Sequence, residues 1–177
     1  MNEHDALRLL RAAVPDAEGQ AWADLGAGTG LFTRALASMV GASGHVHAVD
    51  ADASSLRVLR AWIASAGAAN VTVAQADVSR PLALPPLDGV LMANVLHFIP
   101  DQPAVLSLAA SYLRPGGHLV LIEYEGRRPS RWVPHPVSIA RFRELAPDAG
   151  LAAPVVVAMR PSAFGGDLYV ARAERRG

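Results

Sequence analysis

The chain has 177 residues, is 51% hydrophobic and 18% charged, and balances 16 basic against 16 acidic groups; this is the composition of one globular domain and disfavours a protein that lives on phosphate-backbone contacts. Cysteine is absent and every basic residue is arginine, which excludes disulfides, thiolate nucleophiles, Cys-ligated zinc, a Walker lysine, a Schiff base and a lysine general base. No apolar run reaches the ~18 residues of a membrane span, and Met1-Asn2-Glu3-His4-Asp5 carries acids where a secretory leader carries bases, so no membrane association is expected and the cytoplasm is the expected compartment.

Residues 4–13 predict a short amphipathic helix with Leu7, Leu10 and Ala13 on one side, stopped by Pro15. Residues 20–25 predict a short apolar strand that runs into Gly26-Ala27-Gly28-Thr29-Gly30. From Leu31 the apolar period becomes helical, through Phe32, Ala35, Leu36 and Met39, until Gly41 and Gly44 punctuate it. A second strand is predicted over 45–50, a helix over 54–66 closed by Gly67, and a third strand over 70–74. Asn70-Val71-Thr72 matches a glycosylation sequon but falls at that strand start, so it is expected to stay unmodified. A Pro-rich loop covers 79–86, and 87–94 predicts a fourth strand, apolar along most of its length as for a strand buried on both faces. A helix over 102–113 is ended by Arg114-Pro115-Gly116-Gly117, and a fifth strand covers 118–124. A polar loop, 125–136, leads to a helix near 137–146, and two last strands, 153–159 and 167–173, flank a turn containing Gly165-Gly166.

Strand and helix alternate through most of the chain, which argues for a parallel sheet with helices on both faces. Right-handed crossovers then bring the strand-to-helix loops to one edge, where such sheets bind ligands. The first of those loops is glycine-rich. Bare backbone takes tight positive-φ turns and lets a ligand approach closely, and the following helix offers free N–H groups. A nucleotide cradle is the expected role, against a glycine-rich turn with no ligand.

The glycines run G-x-G-x-G at 26, 28 and 30, and Leu31 stands where the dinucleotide fingerprint needs its third glycine. With Asp24 two residues ahead, this resembles the first motif of the class I S-adenosylmethionine-dependent methyltransferases. Further landmarks follow in the same order over residues 20–124: Asp50 in HAVDAD, Asp77 in AQADV, Asn94-Val95-Leu96-His97, and Arg114-Pro115-Gly116-Gly117. The resemblance implies a single α/β domain over 1–177, a three-layer sandwich. Its seven-stranded, mostly parallel sheet would have the order 3-2-1-4-5-7-6, with the last strand antiparallel. It implies S-adenosyl-L-methionine as cofactor and S-adenosyl-L-homocysteine as product. Asp24, Gly26, Ala27, Gly28 and Gly30 would form the cradle. Asp50 with Ala51 would hold the ribose hydroxyls, since a carboxylate accepts from two vicinal hydroxyls at once. A helix cap is the competing role for that acid, and Asp52 suits it better. Asp77 would accept from the adenine amine and the Val78 N–H would donate to a ring nitrogen. Backbone near Asn94 would accept from the methionine ammonium.

Methyl transfer from a sulfonium releases a neutral thioether, so the protein's main task is to hold acceptor and methyl in line. A base is needed only where the acceptor loses a proton. His97, just after the fourth strand, and His135, in the stiff segment around Trp132, are the candidate catalytic groups, each weighed against a packing or surface role. Arg131 and Trp132 are further candidates for an acceptor pocket, and Glu123 and Tyr124 face either that pocket or the core. His45 and His47 share a strand face without a third ligand in register, so no metal is expected. No Asn/Asp-Pro-Pro-Tyr motif follows the fourth strand, and the cysteine and lysine of other nucleic-acid-modifying methyltransferases are missing. A small-molecule acceptor is expected, no nucleic acid, with residues 1–15 and 125–136 as the segments able to form a lid. A cofactor-binding module without turnover, acting as a partner subunit, and a nicotinamide oxidoreductase are the competing readings. The acceptor and the oligomeric state are not legible.

Overall fold

A computed structural model describes residues 1–14, 16–162 and 165–177. Pro15, expected to stop the first helix, lies outside the described residues, as does the middle of the turn before Gly165. In chain order the elements are α1 (Glu3–Ala13), β1 (Ala21–Leu25), α2 (Leu31–Val40), β2 (His45–Asp50), α3 (Ala53–Ala66), β3 (Val71–Gln75) and β4 (Leu87–Ala93). A one-turn 3-10 helix (Leu96–Phe98) follows, then α4 (Gln102–Ser111), β5 (Leu113–Glu125), α5 (Ile139–Leu145), β6 (Val155–Pro161) and β7 (Asp167–Glu174).

The strands form one seven-stranded sheet, β3-β2-β1-β4-β5-β7-β6. Neighbours from β3 to β5 pair parallel, and β7 runs antiparallel to both β5 and β6. This is the expected order. One face is covered by α1, α2 and α3, through Leu10, Leu36, Leu56 and Leu59 among others, and the opposite face by α4 and α5, through Val105, Leu106 and Phe142. Among the described residues no helix is long and apolar enough to cross a membrane.

Local chemistry sets the boundaries. The Asn2 side chain accepts from the Asp5 N–H and the Asp5 side chain accepts from the Asn2 N–H, a reciprocal cap that starts α1. Asp52 caps α3 by accepting from the N–H groups of Ser54 and Ser55. Asn70, the would-be sequon residue, donates its amide to the carbonyls of Ala37 and Gly41, tying the end of α2 to the start of β3. α1 is docked along the sheet: Ala6, Leu9, Leu10 and Ala13 are buried, Arg160 pairs with Asp5, and Arg172 donates to the Ala13 carbonyl.

Arg114-Pro115-Gly116-Gly117 does not simply end a helix. α4 stops at Ser111, and Leu87 of β4 already takes the Tyr112 carbonyl. Leu113 pairs with Leu87 and His118 with Gly89, so the four residues bulge out within β5 opposite Asp88 alone. Asp88 anchors the bulge by accepting from Arg114 and from the Ala21 N–H of β1. The helical propensity of residues 102–113 continues past Ser111; pairing with β4 overrides it. α5 is likewise shorter than expected, and β6 starts two residues later, beyond Pro154.

Candidate active site

At the edge where β1, β2 and β4 end, the chain turns back on itself around an open groove. The N–H groups of Gly26 and Ala27 both donate to the Val49 carbonyl, which pins the glycine turn to the end of β2. The Gly28 N–H donates to Asp50 Oδ2 at 2.7 Å, and Asp50 Oδ1 accepts from the Asp52 N–H at 2.8 Å. Each carboxylate oxygen keeps a further acceptor position. The three glycines do different work. A β-carbon at Gly26 would come within 2.1 Å of Val95, and one at Gly30 within 2.4 Å of Leu59, so these two are packing glycines. At Gly28, φ is +54° and nothing lies within 4 Å of where a β-carbon would be. Gly28 is therefore the one of the three with room for a side chain, and it meets the site through its N–H to Asp50.

A cavity of about 370 Å³ opens beside this turn, and Gly26, Asp50, Ala51, Asp77, Val78 and Asn94 line it together. Asp77 holds its loop by accepting from the Ser79 N–H at 2.9 Å. Ser79, Val95, Phe98 and Ile99 complete the lining and were not expected from the sequence; the contribution of the last three depends on the 3-10 turn after β4, which has no periodic signal at that length. Asn94 is the one non-glycine residue with positive φ among the described residues, +57°. Its Oδ1 is buried without a hydrogen-bond partner. An unpartnered buried acceptor lining both cavities is a cost that a donor on a ligand can relieve.

Asp24, expected at the cradle, is elsewhere. It is 1% exposed and accepts from Thr33 Oγ1 at 2.6 Å, fastening the first turn of α2 to β1. Burial, with a smaller push from the Asp50 charge and against the Thr33 hydrogen bond, raises its carboxyl to about 6. Ala27 and Gly30 are buried under the turn, and of the expected cradle glycines only Gly26 lines the cavity; Gly28 touches it through Asp50.

A second cavity, of about 530 Å³, adjoins the first and shares Asn94 and Phe98 with it; His97, Tyr124, Arg127, Trp132 and Val133 complete its lining. His97 is 2% exposed, and its Nδ1 lies 2.7 Å from Oε2 of Glu123, itself wholly buried. Glu123 Oε1 also accepts from the His97 backbone N–H at 3.2 Å, so the carboxylate clamps the residue at two points. The partnership was legible in principle: β4 and β5 are neighbours, and an acid amid Leu121, Ile122 and Tyr124 on a buried strand needs a partner. His135 meets the site only through its backbone. Its N–H donates to the His97 carbonyl at 2.9 Å and its carbonyl accepts from Gln102, while its side chain is exposed and, like Arg131, is outside the lining. His45 and His47 face each other away from both cavities, bridged by Thr72 Oγ1.

Residues 23–117 match the family model described as "Methyltransferase domain". The arsenite methyltransferase of Aquipseudomonas alcaligenes is 37% identical over 114 residues, 59% of this chain and 33% of that protein. The ubiquinone/menaquinone biosynthesis C-methyltransferase UbiE of Ectopseudomonas mendocina is 35% identical over 103 residues, 57% of this chain and 40% of that protein. The matched stretch thus spans two-fifths or less of either curated relative. In fold, the chain resembles the crystal structure of a SAM-dependent methyltransferase from Aquifex aeolicus, with a TM-score of 0.76 over 95% of this chain and 89% of that one at 22% identity.

Proposed function

Because the chain belongs to the methyltransferase domain family, we propose that it transfers the methyl group of S-adenosyl-L-methionine to a small-molecule acceptor, releasing S-adenosyl-L-homocysteine. The observation that carries this reading is the cradle. Gly28 presents bare backbone to open space, and the groove beside it gathers Asp50, Asp77, Val78 and Asn94 in one cavity. These residues fit the cofactor's chemistry. Asp50, already oriented by two backbone N–H groups, accepts from the ribose hydroxyls with its remaining lone pairs. Asp77 and the Val78 N–H meet the adenine edge, and Phe98 and Ile99 cover its faces. Asn94 offers its backbone carbonyl and its unpartnered Oδ1 to the ammonium. Asp24 acts one step back, through Thr33, as the residue that holds the cradle's helix in place.

The acceptor enters the second cavity, so the methyl lies at the junction marked by Asn94 and Phe98. Bringing the two reactants into line supplies most of the rate. His97 is the candidate base. His135 positions the loop above it through the two backbone bonds rather than by its ring. Of the segments expected to form a lid, 125–136 is assigned that part, because it carries Trp132 and Val133 over the cavity. The cytoplasm, which supplies the cofactor, is the compartment proposed for the reaction.

A crystal soaked with S-adenosyl-L-homocysteine tests this directly. The adenosine is expected between Asp50 and Asp77, with the sulfur beside Asn94. Density for the ligand elsewhere, or none at saturating concentration, overturns the assignment.

A further inference from the structure

The second cavity combines features that restrict what it can take. Its walls are aromatic and aliphatic: Phe98 and Trp132 are 54% and 70% exposed, large flat surfaces left open at its mouth, and Tyr124 and Val133 continue the wall. Behind them sits one buried ion-pairing unit, His97 with Glu123. An ionised Glu123 accepts from Nδ1–H and leaves the Nε2 lone pair as the ring's remaining acceptor. Arg127 lines the same cavity, with its guanidinium over the Tyr124 ring at 5.2 Å, and its positive potential favours an acceptor that becomes anionic. Arsenite, the substrate in one relative's name, is a soft centre that calls for thiolates, and this chain has no cysteine. An amine acceptor becomes a methylated ammonium, a cation that the Arg127 charge lining the same cavity disfavours.

We propose that the second cavity takes a planar aromatic ring bearing an ionisable hydroxyl, a phenol, and that His97, oriented by Glu123, removes the hydroxyl proton. This rests on the neighbouring cavity being the S-adenosylmethionine site. The ring lies against Phe98 and Trp132 with its hydroxyl toward Nε2. The proton passes to Nε2, and the freed oxygen pair forms the bond to the methyl carbon. The carbon's bond to sulfur breaks with its electrons going to sulfur, so the products are an aryl methyl ether and a neutral thioether. The imidazolium, stabilised by Glu123, returns its proton to water. Glu123 is a positioning residue: it touches His97 and does not line the cavity. The titratable neighbours do not compete for the proton. Burial first, and then the Glu123 charge, raise the phenols of Tyr124 on β5 and Tyr169 on β7; Glu125 adds to the effect on Tyr169, and Arg127 opposes it on Tyr124.

The test uses para-nitrophenol, whose ionisation is visible as a yellow phenolate band. The intact chain saturated with S-adenosyl-L-homocysteine is titrated with para-nitrophenol about one pH unit below that phenol's own pKa, where solution holds ~10% phenolate. Saturable growth of the phenolate band is expected, together with transfer of tritiated methyl from S-adenosylmethionine to the phenol oxygen. Glu123→Gln is expected to lose the phenolate band and, because ionisation in the site contributes to binding, up to about tenfold in phenol affinity at this pH. His97→Asn is expected to lose the band and about 10²-fold in turnover. Heat of S-adenosyl-L-homocysteine uptake serves as the folding control for each variant. Cofactor heat without a phenolate band or methyl transfer in the unmodified chain overturns the proposal and leaves the cofactor site standing; no cofactor heat overturns the cofactor reading itself. A full phenolate band in folded Glu123→Gln overturns the part assigned to Glu123.

Discussion

Asp24 illustrates how a residue can be conspicuous in a sequence for one reason and useful for another. Its place two residues before the glycines suggests a ligand contact, yet its side chain is buried against Thr33. What it contributes is position, and it does so at a cost. Burial raises its carboxyl from 3.8 to about 6. In the unfolded chain the group ionises near its ordinary value, so between about pH 4 and 6 the unfolded state holds fewer protons and stability falls as pH rises. Asp24→Asn, which can still accept from Thr33, removes that dependence. Thermal unfolding followed across pH should show the variant more stable at neutrality, by roughly 3 kcal/mol at most, with the difference gone below about pH 4. A neutral-pH loss of stability in the variant would mean that the ionised carboxylate, not its hydrogen bond, holds the turn. Asp50 and Asp77, which do line the cavity, were legible because Asp50 ends β2 and Asp77 follows β3 at the ligand edge of the sheet. Glu123 was ambiguous because strand alternation alone does not say which face looks toward a loop.

The elements show the same division. Apolar runs and periodicity located the seven strands and five α-helices described, because such segments must bury their apolar surface whatever lies beside them, while the one-turn 3-10 helix was too short to show. The misplacements occur where a partner captures the backbone: β4 takes Tyr112 and Leu113 away from α4, and Asp88 with Arg114 turns an expected stop signal into a bulge. The β1–β4 seam is equally specific. Gly89 stands against Trp22, wholly buried, and a β-carbon there would come within 2.3 Å of the indole. Both are backbone and core, with no flexible end to yield. Gly89→Ala is therefore expected to cost about 1–3 kcal/mol by overpacking, read as a lowered midpoint in urea. Because β1 leads directly into the glycine turn, cofactor affinity should fall along with stability. An unchanged midpoint would show that the seam can open without penalty.

At the scale of the whole molecule, the strand order brings the ends of β1, β2 and β4 together and leaves two adjoining cavities that share Asn94 and Phe98. The first was legible in outline, since its acids and glycines recur in a fixed order along the chain. The second was legible in part: His97, Tyr124 and Trp132 line it as candidates, whereas Arg131 and the His135 ring stay outside, because the shape of loop 125–136 depends on contacts such as the His135 N–H to the His97 carbonyl. In the proposed function, bare backbone at Gly28 flanks the bound cofactor. Calorimetry with S-adenosyl-L-homocysteine on the unmodified chain and on Gly28→Val, checked for native circular dichroism, addresses it most directly. The space beyond Gly28 is open, so the variant is expected to fold, at a strain of about 1–3 kcal/mol for a β-branched residue at positive φ, and to lose at least ~10²-fold in affinity by crowding the site beside Asp50. Equal heats from both proteins, or none from the unmodified one, would overturn the proposed function.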